Sequence, residues 1–144
     1  MNTVELVLQS KGSAVYSVTA QTPVYEALTV MAEHDVGTVV VLEKVKMVGI
    51  FSERDYARKV ILKGKSSREI TVGELMNTNV IHVSLSTRIE QCMTLMTEQR
   101  VRHLPVLDDD HLVGLISIGD VVKQIISDQE FKIHELEKYV QGSY

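Results

Sequence analysis

Gly49-Ile-Phe-Ser52-Glu-Arg-Asp55 and Gly114-Leu-Ile-Ser117-Ile-Gly-Asp120 share one pattern, Gly-h-h-Ser-x-x-Asp with h apolar. Laying residues 18–55 over 83–120 at a constant offset of 65 extends the match to 12 identities in 38 positions without a gap. Chance would not place Gly, Ser and Asp in the same order at the end of both windows. Self-similarity of this kind is read before any other pattern, because it decides the architecture. Two copies of one unit imply a pseudo-twofold body.

Working outward, each block is preceded by two β-branched runs joined by a charged turn. These are Thr38–Leu42 and Met47–Phe51 in the first copy, Leu104–Leu107 and Leu112–Ile116 in the second. Before them lie stretches with helical spacing, carried by Val24, Ala27, Leu28 and Met31, and by Ile89, Cys92, Met93 and Met96. Thr22-Pro23 and Thr87-Arg-Ile-Glu90 suit the helix starts, with threonine as N-cap and Thr-x-x-Glu as a capping box. Val15–Val18 and Val80–Val83 read as the first strand of each copy. The unit is therefore β-α-β-β-α, an α/β (α+β) fold. Its three-stranded sheet has helices on one side only, and the second copy can cover the other, packing sheet to sheet into one module.

The rest of the chain fits around this pair. Residues 3–10 form an entry helix stopped by Gly12, and Lys63–Arg68 is an exposed linker. Thr71-Val-Gly-Glu74 caps a brief helix. Beyond Asp120, the apolar positions Ile126, Ile133, Leu136 and Val140 continue at three-and-four spacing, interrupted at Gln129. That helix has one apolar face, is too short for a stable free coiled coil, and docks on its own body or on a partner. The segments are 1–12, an N-terminal helix; 13–65, repeat 1; 66–77, a linker; 78–127, repeat 2; and 128–144, a helical tail.

With 144 residues and 44% hydrophobic side chains the chain can bury a sizeable core. One copy alone, of about 60 residues, would be marginal. No apolar run approaches the roughly 18 residues of a membrane span. Met1-Asn-Thr-Val-Glu5 lacks a basic region followed by an apolar stretch, so a cytoplasmic location is expected. The single cysteine, Cys92, excludes an internal disulfide framework and, on an apolar helix side, reads as a small buried hydrophobe. A net charge of −4 argues against general nucleic-acid binding, although Arg58–Arg68 holds five basic residues and no acidic one. The five histidines lack ligand-like spacing, so no metal is expected. There is no Gly-x-Gly-x-x-Gly, no phosphate-loop lysine motif and no nucleophile with base and orienting acid, so the chain is not read as an enzyme.

The repeated block has two uses. Ser52 and Ser117 suit N-caps, with Asp55 and Asp120 at the third helical position, where a carboxylate meets the positive helix end. A helix start after a buried strand also points N–H groups outward at a phosphate or hydroxyl, and an aspartate can accept from the vicinal hydroxyls of a ribose. Arg54 adds a cation to the first block, and Arg100, Arg102 and His103 stand just before a strand of the second copy.

On these residues, with Arg102-His-Leu-Pro-Val106, the unit resembles a CBS motif, named after cystathionine β-synthase. Over residues 15–126 the chain resembles a stand-alone tandem CBS pair, or Bateman module, like the small one-pair CBS proteins of bacteria and plant organelles. The resemblance implies a regulatory protein binding an adenine nucleotide or related adenosine compound (AMP, ADP, ATP, NAD or S-adenosylmethionine) in the cleft between the repeats. It also implies a homodimer and a regulated partner protein. By the family's crossed geometry, one ligand set is Ser52, Arg54 and Asp55 with Thr87, Cys92, Val101, Arg102 and His103. The other is Ser117, Gly119 and Asp120 with Thr22, Ala27, Val36, Gly37 and Thr38. Because the second set contains no cation, a nucleotide is expected to prefer the Asp55 set. The alternative is a protein-interaction module whose cleft is structural and unliganded.

Overall fold

The computed structural model describes residues 2–142. In chain order these form α1 (Val4–Lys11), β1 (Ser17–Val18), α2 (Val24–His34), β2 (Thr38–Glu43), β3 (Lys46–Ser52) and α3 (Glu53–Tyr56). After a π-helical turn, Ala57–Ile61, come α4 (Val72–Leu75), α5 (Ile89–Gln99), β4 (His103–Asp108), β5 (His111–Ser117) and α6 (Ile118–Gly142). The chain divides into two units, one made of Ala14–His82 and Leu107–Val113, the other of the residues up to Ser13, Val83–Val106 and those from Gly114 onward.

In the first unit the sheet order is β1-β2-β3, parallel then antiparallel. Val39 and Val41 on β2 join Phe51, Val24, Ala27, Met31, Val60 and Val72 in one core. Val40, pointing to the opposite face by strand alternation, is equally buried, so both faces of β2 are covered. The linker helix α4 starts with a capping box, Thr71 N donating to Glu74 Oε2 at 2.8 Å. That bond, foremost, holds the Glu74 carboxyl below its usual range.

β4 and β5 pair, their turn end belonging to the first unit, and in the second unit α5 packs against α6. Val4, Val7, Leu8, Ile89, Cys92, Met96, Leu104, Ile116 and Val121 are buried. The expected strand Val80–Val83 is reduced to one bridge between Val83 and Val106, with Val83 N donating to Pro105 O at 3.0 Å. The repeat explains this loss. In the first copy Val40 N donates to Tyr16 O at 3.1 Å, and the position matching Val40 is Pro105, which has no N–H to give.

The helix starts also differ from expectation. Thr22 does not cap α2: its Oγ1 accepts from Thr19 N at 3.1 Å, and Pro23 takes the cap position. Thr87 likewise accepts from Ser84 N at 3.0 Å, and the box at α5 runs from Arg88 N to Gln91 Oε1, not from Thr87 to Glu90. Threonine can serve the turn before a helix as well as the helix itself, and here both threonines close the turn. The repeated glycine, by contrast, answers to packing. A Cβ on Gly49 would lie 2.7 Å from Met76 Sδ and 3.1 Å from Asn77 O, and one on Gly114 would lie 2.8 Å from two methyls of Leu8.

Candidate functional site: two capped aspartates

At the β3–α3 junction, Ser52 leaves the sheet in extended conformation and caps the helix. Asp55 N donates to Ser52 Oγ at 3.2 Å, while Ser52 N and Oγ both donate to Asp55 Oδ2 at 3.0 Å. This fixes the carboxylate without using its second oxygen, Oδ1, whose nearest cation is Lys59 Nζ at 3.4 Å. Lys59 is held in turn by the Leu75 carbonyl at 3.0 Å. Beside the junction, Glu53 N donates to Gly37 O at 3.0 Å, and Thr38 pairs with Ser52 across the strands. Arg54 is exposed and makes no ion pair among the described residues. Val36 and Thr22 are half-buried, and Ala27 lies wholly in the core.

The β5–α6 junction repeats the arrangement. Ser117 N donates to Asp120 Oδ2 at 2.8 Å, and Asp120 N donates to Ser117 Oγ at 3.2 Å. Ile118 N donates to Arg102 O at 2.8 Å, matching Glu53 to Gly37 in the first copy. Here the structure corrects the expectation that the Asp120 set has no cation: Lys11, at the end of α1, places Nζ 2.7 Å from Asp120 Oδ2. The same ammonium donates to Leu115 O at 2.9 Å. Lysine reaches this carboxylate from 109 residues away, which no local pattern in the sequence could show. Lys11 thus adds a cation beside Asp120, while Arg54 and Arg102, on which the expected preference for the Asp55 set also rested, are exposed.

Burial would raise the Asp120 carboxyl, but the Lys11 and Ser117 hydrogen bonds outweigh it and the group is held below its usual range. His103 stands in the same field. Burial lowers its basicity, Lys11 and Arg102 add to the effect, and Asp120 opposes it. Arg102 and Gly119 are exposed, whereas Val101 and Thr87 are half-buried. Cys92 is buried, its thiol pushed up to about 11 chiefly by desolvation. It lines the core as a small hydrophobe.

The structure therefore brings Ser52 to Asp55, Ser117 and Lys11 to Asp120, and His103 into the field of Lys11, Asp120 and Arg102. Among the described residues, no group of three or more His, Cys, Asp or Glu is arranged to hold a metal ion. No described helix is long and apolar enough to cross a membrane.

The family model for the CBS domain matches twice, over residues 12–62 and 72–127. The chain belongs to the CBS-domain family. It is a tandem pair with the α+β fold of that family. It is 37% identical to the CBS domain-containing protein CBSX3, mitochondrial, of Arabidopsis thaliana, over 99% of this chain and 73% of that protein. Among solved structures, a signal-transduction protein with CBS domains from Burkholderia ambifaria is 47% identical, with a TM-score of 0.86 over 89% of this chain and 96% of that one. The CBS domain pair of protein MJ0100, in complex with 5′-methylthioadenosine and S-adenosyl-L-methionine, shares the fold at 20% identity and a TM-score of 0.78. That alignment covers 89% of this chain and 98% of the other.

Proposed function

We propose that the protein is a non-catalytic regulatory module that binds an adenine nucleotide (AMP, ADP, ATP or NAD) and thereby alters its hold on a partner protein. One observation carries this reading. Each repeat presents an aspartate fixed by its cap with an oxygen to spare: Asp120 Oδ1 accepts no hydrogen bond from the described residues, and Asp55 Oδ1 faces only Lys59. An ionised carboxylate is acceptor-only, so a preset, half-used one suits hydroxyl donors such as those of a ribose. Lys59 and Lys11 supply a positive charge beside each, with Arg54 and Arg102 exposed nearby in sequence for phosphate. MJ0100, which shares the fold, was solved with two adenosine compounds.

Regulation requires that ligand bind one arrangement of the module more tightly than another, because equal affinity shifts nothing. Reduced surroundings such as the cytoplasm fit the single buried thiol.

Calorimetric titration with AMP, ADP, ATP and NAD tests the proposal, run on the wild type, Asp55→Asn and Asp120→Asn. Asparagine keeps a cap acceptor and removes the charge. A ligand that binds the wild type and is weakened at least tenfold by one variant supports the reading. Binding indifferent to both variants, or absent at millimolar ligand, sinks it.

A further inference from the structure

From Gln129 to Gln141 every side chain of α6 is exposed. A helical run this short is marginal in water on its own. Its apolar residues are ordered: with Ile126, Ile133 and Val140 as a positions of a heptad, Val122, Gln129 and Leu136 fall at d. The seam is open, with Ile126 50%, Ile133 56%, Leu136 65% and Val140 64% exposed. A shallow groove on it is lined by Ile133, Leu136, Glu137, Val140 and Gln141. The first four are two a residues, a d and an e, the set that surrounds a d-position knob in a parallel pair of helices.

We propose that this face pairs with the same face of a second copy of the chain as a parallel, in-register, two-stranded coiled coil. The seam itself selects that occupant. β-branched residues at a with leucine at d favour two parallel strands, and here Ile126, Ile133 and Val140 hold a while Leu136 is the leucine at d. In a parallel pair Lys132, at g, faces Glu137 at e of the second copy. In an antiparallel pair e faces e, setting Glu130 against Glu137. Gln129 at d is a polar interruption of the seam, which lowers the stability of the pair. Phe131, 66% exposed, falls at f and lies off the seam. Nothing in this pairing requires a nucleotide.

Sedimentation equilibrium of the full chain tests it. Leu136→Asp should weaken self-association at least tenfold, while Phe131→Ala changes it less than twofold. Glu137→Lys should weaken it several-fold, and adding Lys132→Glu should restore it. Ile126→Cys should oxidise to a disulfide-linked dimer, Cys92 being buried and out of reach. A monomeric wild type, a dimer untouched by Leu136→Asp, a dimer tightened by Glu137→Lys, or no cross-link at residue 126 would each overturn the proposal. All five substituted side chains are exposed, so the folded body, checked by its thermal midpoint, should be unaffected.

Discussion

Lys11 Nζ bonds Asp120 Oδ2 at 2.7 Å, which ties the end of the first helix to the start of the last. The pair is partly exposed, so its own contribution to stability should be below about 1 kcal/mol. Under the proposed function its weight falls on ligand choice. Lys11→Ala removes the cation beside Asp120 and frees a carboxylate oxygen, so ADP should bind this anchor several-fold more weakly and adenosine no more weakly. Titration of both ligands against wild type and variant reads the difference.

Acid should weaken the fold through His103. Its basicity is lowered in the folded state from 6.5, so the unfolded chain takes up the proton first. The contribution is complete above that value and is lost as pH falls through it towards the folded pKa. The thermal midpoint of His103→Gln should thus fall less than the wild type's between pH 7.5 and pH 5.5. Equal slopes would remove His103 from the account. Asp120, lowered from 3.8, adds a loss of the same sign at more acid pH.

Pro105 holds the second sheet to two strands and a bridge. Pro105→Val restores an N–H where the first copy donates from Val40 to Tyr16. A new slowly exchanging amide should appear at residue 105. A net hydrogen bond contributes about 1 kcal/mol and losing proline costs a similar amount through the unfolded chain, so the midpoint should barely move.

The repeated glycines predict unequal costs. Gly49→Ala meets the Asn77 carbonyl, which is fixed by reciprocal bonds with Ile50, and should destabilise by about 1–3 kcal/mol. Gly114→Ala meets only the methyl ends of Leu8, which can yield, and should cost less while loosening α1. Urea denaturation compares the two.

Cys92 should be inert in the native protein. With its thiol at about 11 and fully buried, it should react with a disulfide reagent at pH 8 only as the chain unfolds.

The sequence made the repeated unit readable because its signals are local and come twice. The periodic faces of α2 and α5, the β-branched runs and the Ser-x-x-Asp boxes all fall where their spacing points. What escaped it was relational. Lys11 looks like any basic residue in a last helical turn until the fold sets it against Asp120. Thr22 and Thr87 carry a signal that two neighbouring turns can use equally well. Val80–Val83 reads as a strand, and its partner, one proline, decides otherwise. The tail shows the same limit, since its spacing was visible, but only the fold shows that α6 runs unbroken through Gln129.

That continuity makes α6 a lever. Its 25 residues begin at the Ser117–Asp120 junction and end well clear of it. At 1.5 Å per residue the arm is about 37 Å long, so a tilt of about 10° at its root swings the far end by roughly 6 Å. Under the proposed function, a small adjustment around one aspartate would thereby become a displacement the size of a side chain at the far end of the helix.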